Sequence, residues 1–139
     1  MTPAGPLPVP DERSAPYWEA AAHHQLVVAR CSRCGRLSHP PDITCPRCHH
    51  HRPDFSFEAV GGAGTVQSWV VIRQSFLPDM DVPLVLVDVA IDEDADVRLI
   101  GRLVEGTEAV LHVGQRVRVC FDDVAPNVSV PAFTLEVAP

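Results

Sequence analysis

Apolar and polar residues alternate through most of the second half of the chain. From Phe55 onward the period is two, which puts successive side chains on opposite faces of an extended strand. Four such runs stand out. They are Thr65-Val66-Gln67-Ser68-Trp69-Val70-Val71-Ile72-Arg73, Leu84 to Ile91, Val97 to Val104, and Arg116 to Phe121. A fifth, Phe133 to Val137, closes the pattern. In the fourth, Val117, Val119 and Phe121 point one way, and Arg116, Arg118 and Cys120 the other. Five short strands at this spacing predict a small closed barrel or sandwich, and five strands over about 80 residues suit an OB-type barrel.

The first half reads differently. Residues 1–13 are proline-rich and without periodicity, and predict a flexible leader. Ser14 to His23 predicts a short helix, with Ser14 as N-cap, Pro16 in the first turn and alanines after it. Tyr17 and Trp18 are large rings on a helix too short to stand alone. They pack either on this chain or on a partner protein, where such rings serve as anchors. Gln25 to Arg30 and Arg36 to His39 predict two short strands, the second broken by Pro40-Pro41.

Between those strands lies the densest chemistry of the chain. Cys31-Ser32-Arg33-Cys34 and Cys45-Pro46-Arg47-Cys48 are two Cys-x-x-Cys pairs separated by ten residues. Each pair places two sulfurs on one cation from a tight knuckle, and two knuckles close a tetrahedral structural zinc site. Cys31, Cys34, Cys45 and Cys48 are therefore the expected metal ligands. A rubredoxin-type iron site uses the same four thiolates, and two disulfides, or reduced thiols packed in a core, are the competing arrangements. His49-His50-His51 follow directly, but four cysteines already fill a tetrahedron. The predicted organisation is a leader over 1–13, a helix and ribbon over 14–54, and a barrel over 55–139.

Composition narrows the function. The chain has 139 residues, a formal net charge of -7, 11 Lys plus Arg against 18 Asp plus Glu, and no lysine. Nucleic-acid binding draws most of its affinity from cations neutralising phosphates, and aromatics for base stacking are only 6%. An OB-fold nucleic-acid binder is thus disfavoured, and an iron electron carrier stands as the other alternative. The basic residues near the cysteines, Arg30, Arg33, Arg36, Arg47 and Arg52, suit a solvated module surface or a single anionic ligand. Asp92, Glu93, Asp94 and Asp96 read as a solvated hairpin tip, and Cys120 as a spare, partly buried thiol. No apolar run is long enough for a membrane span. The first residues lack the charged and apolar regions of a secretory signal, so a cytoplasmic location is expected. No Gly-x-Ser-x-Gly, P-loop or other catalytic constellation occurs.

Taken in order, several segments match one known arrangement. They are Tyr17-Trp18-Glu19, Arg30 to Gly35, Pro40-Pro41, Cys45 to Cys48, Gly64-Thr65-Val66, Ser68-Trp69, Val82-Pro83 and Gly114 to Val117. The chain resembles the zinc-ribbon OB-fold family, long catalogued as a domain of unknown function, that partners thiolase-superfamily acyl-CoA enzymes. The likeness runs over roughly 14–137. It implies a non-catalytic accessory subunit of a thiolase, a thiolase-like aldolase or lyase that shortens steroid side chains, or an acyltransferase. Such a subunit helps hold acyl-CoA and shapes the partner's active site. It implies structural zinc at the four cysteines and a heteromer of two plus two chains. On this reading, Arg33 and Arg47 are candidates for the CoA phosphates, because arginine pairs with phosphate in bidentate fashion. Tyr17, Trp18, Phe76, Leu77 and Met80 are candidates for the partner interface or an acyl tunnel.

Overall fold

The computed structural model describes residues 6–137. Part of the predicted leader, residues 1–5, lies outside the described residues. The helix α1 runs Ala15–Ala22. It is entered one turn earlier than the serine cap suggested. The Asp11 carboxylate accepts from the Ser14 N–H at 2.8 Å, and the Ser14 hydroxyl accepts from the Asp11 N–H at 3.0 Å. The Ala15 N–H already reaches the Asp11 carbonyl at 2.8 Å. The pair forms a reciprocal capping box with Asp11 in the cap position.

Three strands follow: β1 (Val27–Cys31), β2 (Leu37–Ser38) and β3 (Phe55–Ala59), in an antiparallel sheet of order β2-β1-β3. The segment from Phe55, where the period changes to two, therefore pairs with β1 and not with a barrel strand. Leu26, Val27, Val28 and Leu37 are buried beneath α1 and share one continuous core with the barrel.

The barrel comprises β4 (Ala63–Ile72), β5 (Leu84–Ile91), β6 (Asp94–Leu103), β7 (Arg116–Ala125) and β8 (Val128–Leu135). It closes in the order β4-β5-β6-β8-β7 with β7 back on β4, and only β6 and β8 run parallel. That is the five-stranded OB arrangement expected from the alternation. Val66, Val87, Val89, Val97, Leu99, Leu103, Val117 and Phe133 fill the interior. A bulge at Gln67 shifts the phase of β4, which turns Trp69 and Val70 partly outward.

The last two strands are longer than predicted. Asp122-Asp123 reads as a strand exit, yet β7 continues to Ala125 and turns back at Pro126-Asn127. Both acids are satisfied on the strand. Asp122 takes a bidentate ion pair from Arg102 at 2.8 and 2.7 Å. Asp123 accepts from Ser129 at 2.6 Å and pairs with His24 at 2.7 Å. Pro131 sits within β8 because that strand meets β6 only at Ala132 and Phe133, so its missing N–H deprives no second neighbour.

Candidate metal centre and adjoining groove

The two knuckles are built alike. In the first, the Gly35 N–H reaches the Cys31 carbonyl at 2.9 Å and the Arg33 N–H reaches the Cys31 sulfur at 3.3 Å. In the second, the His49 N–H reaches the Cys45 carbonyl at 2.9 Å and the Arg47 N–H reaches the Cys45 sulfur at 3.4 Å. Gly35 and His49 both take positive φ, 74° and 62°. His49 thus has the role of Gly35 in a pseudo-symmetric turn. The histidine run supplies backbone to the knuckle, and the His51 imidazole lies 3.3 Å from the Thr44 hydroxyl.

All five cysteines are free thiols, which removes the disulfide arrangement. The four ligand sulfurs lie within 4.8 Å of one another, with Cys31 to Cys48 at 3.9 Å and Cys34 to Cys45 at 3.8 Å. Tetrahedral zinc with Zn–S of about 2.3 Å places its sulfurs about 3.8 Å apart, so the cage fits the ion. The electrostatics fit as well. Burial pushes the Cys45 thiol up, but the N–H groups of Cys48 and Arg47 and the neighbouring sulfurs bring it down to about 7. For Cys48 the His50 N–H favours the thiolate, yet burial and the sulfurs of Cys45, Cys31 and Cys34 push it up to about 11. Four clustered sulfurs resist losing all their protons until a dication relieves the repulsion. A structural zinc holds this ribbon.

The arginines around the cage are mostly committed. Arg30 forms a bidentate pair with Glu58 at 2.7 and 2.8 Å and also donates to the Gly35 carbonyl. Arg47 reaches Asp96 at 3.2 Å and Asp94 at 3.4 Å, and Arg36 reaches the same two carboxylates at 3.3 and 3.7 Å. The acidic turn is therefore no idle hairpin tip. Asp94 and Asp96 fasten both zinc knuckles to the barrel, and Asp92 pairs with Arg116 at 2.6 Å. Arg33 has no carboxylate partner among the described residues. Cys120 is half-buried on β7, and burial followed by the nearby Asp122 carboxylate pushes its thiol up.

Helix α1 and the outer face of β5 and β6 enclose an apolar groove of about 430 Å³. Tyr17, Trp18, His39, Pro40 and Pro41 form one wall; Met80, Leu84, Leu86, Ile100 and Pro131 form the other. Three of the five interface candidates, Tyr17, Trp18 and Met80, meet here. Tyr17 is 6% exposed and packs edge-on against Trp18, with ring centroids 4.8 Å apart. Burial pushes its phenol up to about 12. Phe76 and Leu77 lie outside the groove in the loop that leads to Met80, at 85% and 47% exposed. His39 and Ile100 escape the sequence reading. The available signal is that β5 and β6 carry apolar residues on both faces, as in Leu84-Val85-Leu86-Val87.

The His39 ring lies tilted at 44° against the Tyr17 ring, centroids 5.0 Å apart, and its Nδ1 is buried without a partner among the described residues. Burial holds its imidazole below the ordinary value. A histidine kept neutral in the fold protonates first in the unfolded chain, so stability falls as pH drops below about 6.5. The melting temperature is expected to fall between pH 7.5 and 5.5, and more steeply than in His39→Phe. Parallel pH profiles for the two proteins in thermal denaturation would refute this assignment.

Comparison with known proteins agrees with this architecture. Residues 18–54 match the profile described as the ChsH2 rubredoxin-like zinc ribbon domain. Residues 57–122 match that of the ChsH2 C-terminal OB-fold domain. The chain belongs to the ChsH2 family of zinc-ribbon OB-fold proteins. The structure of the Ltp2-ChsH2(DUF35) aldolase superposes with a TM-score of 0.81 at 29% identity, covering 94% of this chain and 99% of that one. A DUF35-family protein of unknown function from Sulfolobus solfataricus shares the fold at a TM-score of 0.60 and 13% identity, over 90% of this chain and 86% of that one. A probable enoyl-CoA hydratase alpha subunit from Thermomonospora curvata is 31% identical over 130 residues. That alignment spans 92% of this chain and 39% of the relative's length. No helix among the described residues is long and apolar enough to cross a membrane.

Proposed function

We propose that this chain is a non-catalytic accessory subunit of a thiolase-like acyl-CoA enzyme, acting in lipid or steroid side-chain metabolism. The observation that carries the reading is the apolar surface. The β4–β5 loop that brings Met80 to the groove also exposes Phe76, Leu77 and Val82. Water-facing apolar surface of this kind marks an interaction site. The metal centre has no open coordination position for substrate, because four thiolates complete its tetrahedron. Its task is to hold α1 and the ribbon in register with the barrel.

The relatives support the reading by what they are. One is the Ltp2-ChsH2(DUF35) aldolase, and another is a probable enoyl-CoA hydratase alpha subunit. In the proposed complex Phe76 and Leu77 contact the partner, while Trp18 and Met80 lie at the shared site. Of the two arginines expected to meet CoA phosphates, Arg33 keeps that role. Arg47 is spent on Asp94 and Asp96 and is only 15% exposed. Two copies of each chain complete the assembly.

The test is co-purification of the zinc-loaded chain with a thiolase-like protein from its own host. Phe76→Asp places a charge on an exposed position, so the fold survives while a central apolar contact is lost. An anchor of this type contributes about 2 kcal/mol or more, which corresponds to a roughly 30-fold loss of affinity. Undiminished recovery of the partner with Phe76→Asp would remove this loop from the interface.

A further inference from the structure

The groove has a chemical selectivity of its own. Its walls are hydrocarbon, and Ile100 stands in it at 67% exposed on the outer face of β6. This face, formed by the second and third barrel strands, is where OB folds commonly take their ligands. A volume of about 430 Å³ falls within the range of small-molecule sites. Among the described residues, the charged groups that line it are Arg102 and Asp122, and they satisfy each other through two hydrogen bonds of 2.8 and 2.7 Å. Among the described residues the groove keeps no unpaired cation to receive an anion, and the chain has a formal net charge of -7. Polar groups without a hydrogen-bond partner among the described residues also line it, and His39 is the one with a fully buried nitrogen. The His39 imidazole lines the groove with no hydrogen-bond partner on either nitrogen among the described residues, and Nδ1 is the fully buried one.

We propose that the groove binds a neutral, mainly hydrocarbon group of about fifteen heavy atoms that carries one hydroxyl or carbonyl, hydrogen-bonded to His39 Nε2. Burial keeps the imidazole neutral, so Nε2 meets either oxygen type by choice of tautomer. Trp18 and Tyr17 cover one side of the ligand, and Leu84, Leu86 and Ile100 the other. The inference deepens the accessory-subunit reading by naming what the shared site holds. It rests on that reading for the ligand's physiological source.

Calorimetric titration of the zinc-loaded full chain with 1-decanol tests it, with decanoate as the anionic control. Saturable one-to-one binding of decanol is expected, at least tenfold tighter than decanoate. Ile100→Asp, at an exposed position the fold tolerates, should weaken decanol binding tenfold or more. His39→Phe should lose about five- to tenfold for decanol. Decanoate binding as tightly as decanol, or affinity unchanged in Ile100→Asp, overturns the proposal. These titrations use the isolated chain, so their failure leaves the co-purification result intact, and the reverse also holds.

Discussion

Cys45→Ser is expected to abolish stoichiometric zinc and unfold the ribbon while leaving a barrel that melts at lower temperature. Cys45 is fully buried and its sulfur accepts the Arg47 N–H. The ribbon is too small to bury a core of its own, so the ion supplies the folding energy there. Structural zinc contributes about 10–16 kcal/mol in isolated zinc-finger peptides, more than the whole stability of most domains. Loss of one thiolate therefore outweighs anything the β2-β1-β3 sheet can offer in compensation. The damage should travel by two routes. Leu26, Val27 and Val28 belong to the same core as the barrel valines, and Arg36 and Arg47 tie the knuckles to Asp94 and Asp96. Hydrogen exchange should show protection lost over 27–59 and reduced over 94–97. Chelation of the wild-type chain should reproduce the pattern. Retention of native protection over 27–38 in Cys45→Ser would mean that the ribbon folds without its metal.

The second large effect belongs to Phe133. Its ring is 1% exposed, and it lies at the place where β8 pairs with β6 on one side and β7 on the other. It packs so closely on β6 that a Cβ at Gly101 would stand 3.0 Å from the ring. Phe133→Ala removes the largest buried side chain of the barrel at the strand that closes it. Core changes of this kind cost about 3–5 kcal/mol, which corresponds to a melting temperature lower by roughly 8–20 °C for a domain of this size. Zinc content should stay at one per chain, because the sulfur cage does not include β8. A fall of less than about 3 °C would place the centre of the core elsewhere.

The metal centre is the part most legible in the sequence, because ligand spacing is a local property. Two Cys-x-x-Cys pairs specify the cage wherever the rest of the chain goes. The barrel is legible for a similar reason: its inward valines and leucines repeat every second residue. What is missed depends on contacts far apart in the chain. Nothing near Asp94 or Asp96 announces that Arg36 and Arg47 will arrive to pair with them. Phe55 to Ala59 alternates like a barrel strand, yet Gly61-Gly62 lets the chain turn from the ribbon sheet into β4, so that segment stays with β1. Asp122 and Asp123 look like an exit because the partners that make them acceptable on β7, Arg102 and His24, lie 20 and 99 residues away. The groove is hidden for the same reason, since one wall comes from α1 and His39 and the other from β5 and β6. Its only local trace is apolar residues on the outer faces of strands that already have a full inner face.

This chain is proposed as one half of a working assembly, and the composition of the native complex measures that directly. The zinc-loaded protein, recovered from its own host and analysed by native mass spectrometry, should carry a thiolase-like chain in equal number, with a total mass of two plus two subunits. Recovery of the zinc-loaded chain only as a monomer, with no thiolase-like protein at stoichiometric level, would contradict it.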